Sequence, residues 1–90
     1  MKVLKFGAVW CSTCLLMGPR WKEIEKEFSW LKTKFYDYDK NPEIMKKYKV
    51  ESGKLPIFIF LDKKGKEFKR MQGEIEKKEL IEFLEKNKDK

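Results

Sequence analysis

Two cysteines, Cys11 and Cys14, are the only thiols in the chain, and they stand in a C-x-x-C unit, Trp10-Cys11-Ser12-Thr13-Cys14. An apolar, strand-like run from Val3 to Trp10 leads into the unit, and a helix-like run from Leu15 to Leu31 leads out of it. A helix start presents unpaired backbone N–H groups and a partial positive charge. Both favour the thiolate, which is the nucleophilic form of cysteine. A sulfur placed there is set up to attack a foreign disulfide, and the second sulfur, one helical turn on, is close enough to resolve the mixed disulfide that results. Zinc is the competing chemistry for paired cysteines, but a structural site usually takes four Cys or His ligands. With two cysteines and no histidine, a zinc site needs two chains. An inert disulfide on a binding module is a further alternative.

Elements must hold this pair in place, and composition bounds them. Ninety residues make one small domain, residues 1–90, with 41% apolar and 14% aromatic residues, enough for an ordinary core. No apolar run approaches membrane-spanning length. A cleaved leader at the N-terminus would remove the C-x-x-C unit or leave it at a ragged end, so a cytoplasmic protein is expected. In a reducing compartment a C-x-x-C is more often catalytic or metal-binding than structural. The net charge of +7 comes from lysines scattered among glutamates. That pattern reads as a solvated surface, with help in capturing acidic proteins, and not as a nucleic-acid site.

Residues 2–9 read as a central strand, apolar on both faces except at Lys5. Cys11 to about Leu31 reads as a helix with a stripe of Cys14, Met17, Trp21, Ile24, Phe28 and Leu31, kinked at Pro19. Phe35 to Tyr38 reads as a second strand. Asn41 as N-cap and Pro42 at the first helical position open a short helix that buries Ile44, Met45 and Tyr48. Val50 to Lys54 is a loop. Leu55 to Leu61 is a buried strand opening with Pro56. Asp62 to Gly65 is a hairpin turn, and Glu67 to Gln72 returns with Phe68 and Met71 inward. Residues 76–87 form a last helix burying Leu80, Ile81, Phe83 and Leu84. The order β-α-β-α-β-β-α folds into one mixed four-stranded sheet flanked by three helices.

The chain resembles the thioredoxin family along nearly its whole length. Trp10-Cys11-Ser12-Thr13-Cys14 resembles the family's W-C-x-x-C, and Pro19 its helix-kinking proline. Asp37 to Glu43 resembles D-x-D-x-N-P-E, and Tyr48-Lys49-Val50 with Leu55-Pro56 resembles the stretch before the family's cis-proline. Gly65 and Gly73 match the hairpin glycine and the glycine before the last helix. The resemblance implies a thiol–disulfide oxidoreductase in which Cys11 attacks and the more buried Cys14 resolves, the two cycling between dithiol and disulfide with no cofactor. It implies that Trp10 shields the pair and shapes the docking surface. It implies that Pro56 is cis beside Cys11 and that Leu55 offers backbone groups to an extended partner chain. Gly73 joins them as a substrate-binding position. The implied partners are protein disulfide substrates and an upstream dithiol reductase such as a thioredoxin reductase, with no nucleic acid or membrane, and the protein is expected to be a monomer. A glutaredoxin-like enzyme using glutathione is the runner-up, disfavoured by Trp10, by Asn41-Pro42 and by the lack of an assignable docking site for the tripeptide's carboxylates.

Three departures from the family pattern stand out. The sequence begins at the strand leading into C-x-x-C, without the family's extra N-terminal strand and helix. The loop before Pro56 is about two residues longer than usual. Ser12-Thr13 replaces the usual Gly-Pro, a pair that tunes redox potential. At Lys5, moreover, the family carries a buried aspartate that moves protons with the second cysteine. Two readings of Lys5 follow: its stem carries the ammonium to water, or its charge stabilises the thiolates and makes the disulfide a better oxidant.

Overall fold

The computed structural model describes residues 1–90. The elements run β1 (Lys2–Gly7), α1 (Ser12–Glu27), β2 (Lys32–Asp37), α2 (Pro42–Lys47), a 3₁₀ turn (Ser52–Lys54), β3 (Ile57–Leu61), β4 (Glu67–Gln72) and α3 (Lys77–Lys86). They form the expected mixed sheet, in the order β2-β1-β3-β4. β1 pairs with β2 in parallel, from Lys2 opposite Lys32 to Gly7 opposite Asp37. β3 pairs antiparallel with β1, Lys5 facing Phe58 across the ladder, and β4 pairs antiparallel with β3.

The two inner strands are apolar on both faces because both faces are covered. Val3, Phe58 and Phe60 pack with Met17, Trp21 and Ile24 of α1 and Leu80 and Leu84 of α3. Leu4, Phe6, Ile57, Ile59 and Leu61 form a second cluster with Met45 of α2 and Val50. Period-2 alternation along β1 and β3 therefore divides one sheet between two cores. Aromatic packing closes the first: Trp21 lies 5.3 Å from Phe58, and Phe60 meets Phe83 edge-on at 4.8 Å. Arg20 and Lys77 join α1 to the C-terminal part through polar contacts. Arg20 Nη1 donates to the Ile75 carbonyl at 2.6 Å, and Lys77 Nζ lies 3.1 Å from Glu27 and 3.3 Å from Glu23.

Several boundaries differ from the sequence reading. β1 ends at Gly7, so Val9 lies outside the strand and is 74% exposed. α1 ends at Glu27, not Leu31. Phe28 caps it by donating its N–H to Ile24, and Leu31 donates to the Phe28 carbonyl at 3.0 Å. Phe28 and Leu31 still join the first core, through a turn and not through a helical face. β2 begins at Lys32, three residues before the expected start at Phe35, because pairing with β1 extends through a stretch of polar residues. The loop before Pro56 contains a 3₁₀ turn at Ser52–Lys54. Asn41 holds the N-cap position of α2, but its side chain makes no cap bond; Asn41 Nδ2 donates back to the Asp37 carbonyl at 3.0 Å. Ile44, Tyr48, Ile81 and Phe83 are half-buried where full burial was expected.

α2 closes with Lys49 in the left-handed region, φ 55°. Val50 N–H reaches the Met45 carbonyl at 2.8 Å and Lys49 N–H the Lys46 carbonyl at 3.2 Å, the paired bonds of a Schellman ending. At the far end of the sheet from Cys11, Asp62 organises the hairpin: its Oδ1 accepts from the N–H groups of Lys64 and Lys66 at 2.9 and 3.0 Å. Both chain ends lie at that pole. Met1 and Lys2 share a surface depression with Asp62 and Lys63, and Asp89 and Lys90 share another with Asp62 to Lys64.

Candidate active site

β1 ends at Gly7, and a short turn carries the chain to Cys11, whose N–H bonds the Ala8 carbonyl at 3.1 Å. Cys11 is the N-cap of α1, with extended backbone (φ −99°, ψ 107°). Its sulfur takes the place that a Ser or Asp oxygen usually fills in a cap, accepting the Cys14 N–H at 3.2 Å. No acidic residue lies in the first turn of α1, so nothing there opposes negative charge on that sulfur. Cys11 and Cys14 are joined as a disulfide with their Cα atoms 5.2 Å apart. Both are half-buried, so the two differ in direction more than in depth. Cys14 faces inward: its Sγ lies 3.3 Å from the point where a Cβ on Gly7 would stand. Ser12, between them, is exposed and Thr13 half-buried.

A cavity of about 40 Å³ opens beside Cys14, and Gly7, Phe35, Pro56, Lys5, Trp21 and Phe58 are among its lining residues. The Leu55–Pro56 bond is cis, as expected. Pro56 lines this cavity together with Cys14, the disulfide partner of Cys11. Gly73, with φ +80°, donates its N–H to the Pro56 carbonyl at 2.8 Å. That bond fixes the Pro56 loop against the β4 end, a conformation that glycine adopts without strain. Leu55 is half-buried beside it, and its N–H points to the Ser52 carbonyl at a long 3.5 Å.

Around the sulfurs lies an apolar rim. Val9, Trp10, Leu15, Leu16 and Phe35 are the large hydrophobic residues that the fold leaves exposed. Four of them flank the two cysteines in sequence, and Phe35 arrives from β2 to line the cavity beside Cys14. Large apolar side chains concentrated at one place on a small domain mark a contact surface. Trp10 is held in it: its Nε1–H donates to Asp39 Oδ2 at 2.7 Å, and its ring meets Tyr38 edge-on at 6.2 Å. Tyr38 N–H in turn donates to the Gly7 carbonyl at 2.7 Å, tying the loop after β2 to the loop that carries the cysteines.

Lys5, half-buried in β1, finds its partner on α1. Its Nζ lies 2.6 Å from Glu25 Oε2 on α1, near the face of Trp21, with the side chain 16% exposed. Gly7, Phe35, Glu25 and Asp39 were not among the site residues expected from sequence. Gly7 was the readable one: a glycine in an apolar strand marks a close approach. The other three meet the site through pairing and packing. No group of three or more His, Cys, Asp or Glu side chains in the fold could hold a metal ion, and no helix is long and apolar enough to cross a membrane.

The thioredoxin family model matches residues 1–86. A curated thioredoxin of Rickettsia bellii is 35% identical over 86 residues, covering 94% of this chain and 79% of its own length. Thioredoxin H7 of Arabidopsis thaliana is 33% identical over 86 residues, covering 96% of this chain but 64% of its own length. Among solved structures, thioredoxin 1 of Thermosipho africanus superposes with a TM-score of 0.81 at 30% identity, covering 96% of this chain and 92% of that one.

Proposed function

We propose, because this chain belongs to the thioredoxin family and is a thiol–disulfide oxidoreductase built on its own Cys11–Cys14 pair, that it reduces disulfide bonds of protein substrates. The observation that carries this reading is the position of Cys11. It caps a helix whose first turn carries no acid, and the exposed apolar rim surrounds it. A thiolate there is favoured by the N–H groups of the helix start. A rim of five large apolar side chains suits the surface of another protein better than a small soluble disulfide.

In the reduced protein, Cys11 Sγ attacks one sulfur of the substrate disulfide. The substrate S–S bond breaks, and its other sulfur leaves as a thiolate that takes up a proton. Cys14 Sγ, as thiolate, then attacks Cys11 Sγ. The mixed disulfide breaks, the second substrate sulfur leaves, and two electrons have passed from the dithiol to the substrate. Trp10, latched by Asp39, covers one flank, and the Leu55–Pro56 segment borders the other. Leu55 backbone groups are our proposed contacts for an extended substrate chain. Gly73, with its N–H already committed to Pro56, serves by holding that border in place. Ser12 and Thr13 tune the exchange. A dithiol reductase returns the disulfide to its working form. The proposed setting is the cytoplasm, where the protein acts as a monomer.

The test is reduction of a protein disulfide with a dithiol as electron source. Cys11→Ser is expected to abolish turnover, and Cys14→Ser to stall as a mixed disulfide visible on a non-reducing gel. Turnover retained in both variants would rule out the dithiol cycle.

A further inference from the structure

Lys5 is the one charged residue that lines the cavity beside Cys14. It sits in the middle of β1 between buried Leu4 and Phe6, on the face that Val3 and Gly7 turn toward α1. β2 contributes Phe35 to the cavity, β3 contributes Phe58, and Pro56, just before β3, completes that side, none of them charged. On α1, Glu25 meets the ammonium, while Arg20 is engaged elsewhere, donating to the Ile75 carbonyl at 2.6 Å and lying 3.5 Å from Met17 Sδ. An ammonium on a residue that lines the same cavity as a sulfur that becomes an anion is an electrostatic partner within reach of that anion.

The pairing of Glu25 gives the ammonium freedom to move. Glu25 Oε2 accepts from Lys5 Nζ at 2.6 Å and also from Thr33 Oγ1 at 3.0 Å. The Thr33 bond does not depend on Lys5, and the Glu25 side chain is 30% exposed. If Lys5 departs, the carboxylate keeps one donor and its water. The reach is short. Side chains two apart on one strand face are separated by about 6.6 Å, and Cys14 Sγ stands 3.3 Å from the Cβ position of Gly7, two residues along from Lys5. A flexible four-carbon stem crosses that gap.

We propose that Lys5 is a redox-switched counter-ion of Cys14. In the disulfide form the ammonium rests on Glu25. When Cys14 is set free as a thiolate, the ammonium turns within the cavity to pair with its sulfur, and Thr33 retains Glu25. This rests on the Cys11–Cys14 cycle of the preceding section. Lys5 keeps its proton throughout. The proton of the Cys14 thiol passes to water, the stabilised thiolate attacks Cys11 Sγ, the bond from Cys11 to the substrate sulfur breaks, and the leaving thiolate takes its proton from water. The ammonium then returns to Glu25.

The test follows the ultraviolet thiolate absorbance of Cys14 against pH in a Cys11→Ser background, where one thiol titrates. Lys5→Met keeps the stem and removes the charge, and is expected to raise the Cys14 midpoint by about one pH unit. Lys5→Arg is expected to hold the midpoint near that of Lys5. Glu25→Gln frees the ammonium and moves the midpoint the other way. In a Lys5→Met background, Glu25→Gln is expected to change nothing, since it acts through Lys5. A midpoint indifferent to Lys5→Met, or a Glu25→Gln effect of equal size with and without Lys5, overturns the proposal. Turnover with a protein disulfide, assayed separately, reports on the dithiol cycle itself. A failure of that assay with the titration intact, or the reverse, tells the two apart.

Discussion

Gly7→Ala is expected to weaken the oxidised protein more than the reduced one. The added Cβ would stand 3.2 Å from Cys14 Cβ, 3.2 Å from Phe35 Cε1 and 3.3 Å from Cys14 Sγ. These are tight contacts, and the neighbours differ in what they can yield. Phe35 is 56% exposed on the edge strand and can swing away. Cys14 Cβ is fixed by α1. Cys14 Sγ is fixed only while the disulfide holds it; as a free thiol it rotates about its Cα–Cβ bond. Overpacking a well-fitted site costs about 1–3 kcal/mol, offset by about 0.4–1 kcal/mol from the stiffer unfolded chain. The oxidised form should therefore lose about 1–2 kcal/mol, and the reduced form, which keeps only the Cys14 Cβ contact, about 1 kcal/mol less. By linkage, a difference of about 1 kcal/mol raises the reduction potential by about 20 mV, using about 30 mV per 1.4 kcal/mol for a two-electron couple. Urea unfolding of both redox forms of parent and variant gives the four stabilities, and equilibration with glutathione gives the potential independently. Equal losses in the two forms, with an unchanged potential, would refute the idea that the Cys14 sulfur takes the strain.

Other outcomes follow from single contacts. Lys49→Gly removes the cost of a side chain at φ 55° and should stabilise by about 1 kcal/mol, or about 4–8 °C in Tm for a domain of this size; a thermal scan showing it no more stable than Lys49→Ala sinks the point. Asp62 is held below its ordinary value of 3.8, chiefly by the Lys66 backbone N–H and also by that of Lys64. A lowered carboxyl contributes stability that is present above 3.8 and is lost as pH falls through the folded value; the Lys64 and Lys66 amide resonances should therefore titrate with a midpoint under 3.8, and a midpoint at or above it contradicts the cap. Asp39→Ala should shift the indole N–H resonance of Trp10 and leave those of Trp21 and Trp30 in place, since only Trp10 donates to Asp39. Three unmoved indole signals would mean that the latch is not formed in solution.

The inner half of the fold was legible in sequence because its apolar residues repeat at the period of their element. Ile57 to Leu61 could be nothing but a buried strand, and Leu80 and Leu84 nothing but the seam of a helix. The same logic misled at the end of α1. Phe28 and Leu31 continue the three- and four-residue steps, yet a turn buries them equally well, and burial is all that periodicity reports. β2 was read short for the opposite reason. Lys32, Thr33 and Lys34 carry no apolar signal; the ladder with β1 makes them a strand, and an edge strand tolerates exposed lysines. In the site, Cys11 and Cys14 announced themselves by type and spacing, and Pro56 by the family resemblance. Gly7, Phe35 and Glu25 did not, because what matters about them is distance: Gly7 to the Cys14 sulfur, Phe35 to the same cavity, Glu25 to Lys5. Asn41 shows the limit of a positional rule. It occupies the right place for a cap and spends its amide on Asp37 instead.

The polarity of the molecule has a practical side. β1 runs from Lys2 toward the cysteines, and β3 starts beside them and runs back, so the disulfide sits over one end of the two inner strands. Met1, Lys90 and the Asp62–Gly65 hairpin all gather at the other end. A tether joined to either terminus leaves the molecule on the side away from Trp10 and the apolar rim. Coupled to a bead or a neighbouring domain through its first or last residue, the protein would hold its sulfurs outward, and an insertion in the hairpin would lie on that same side.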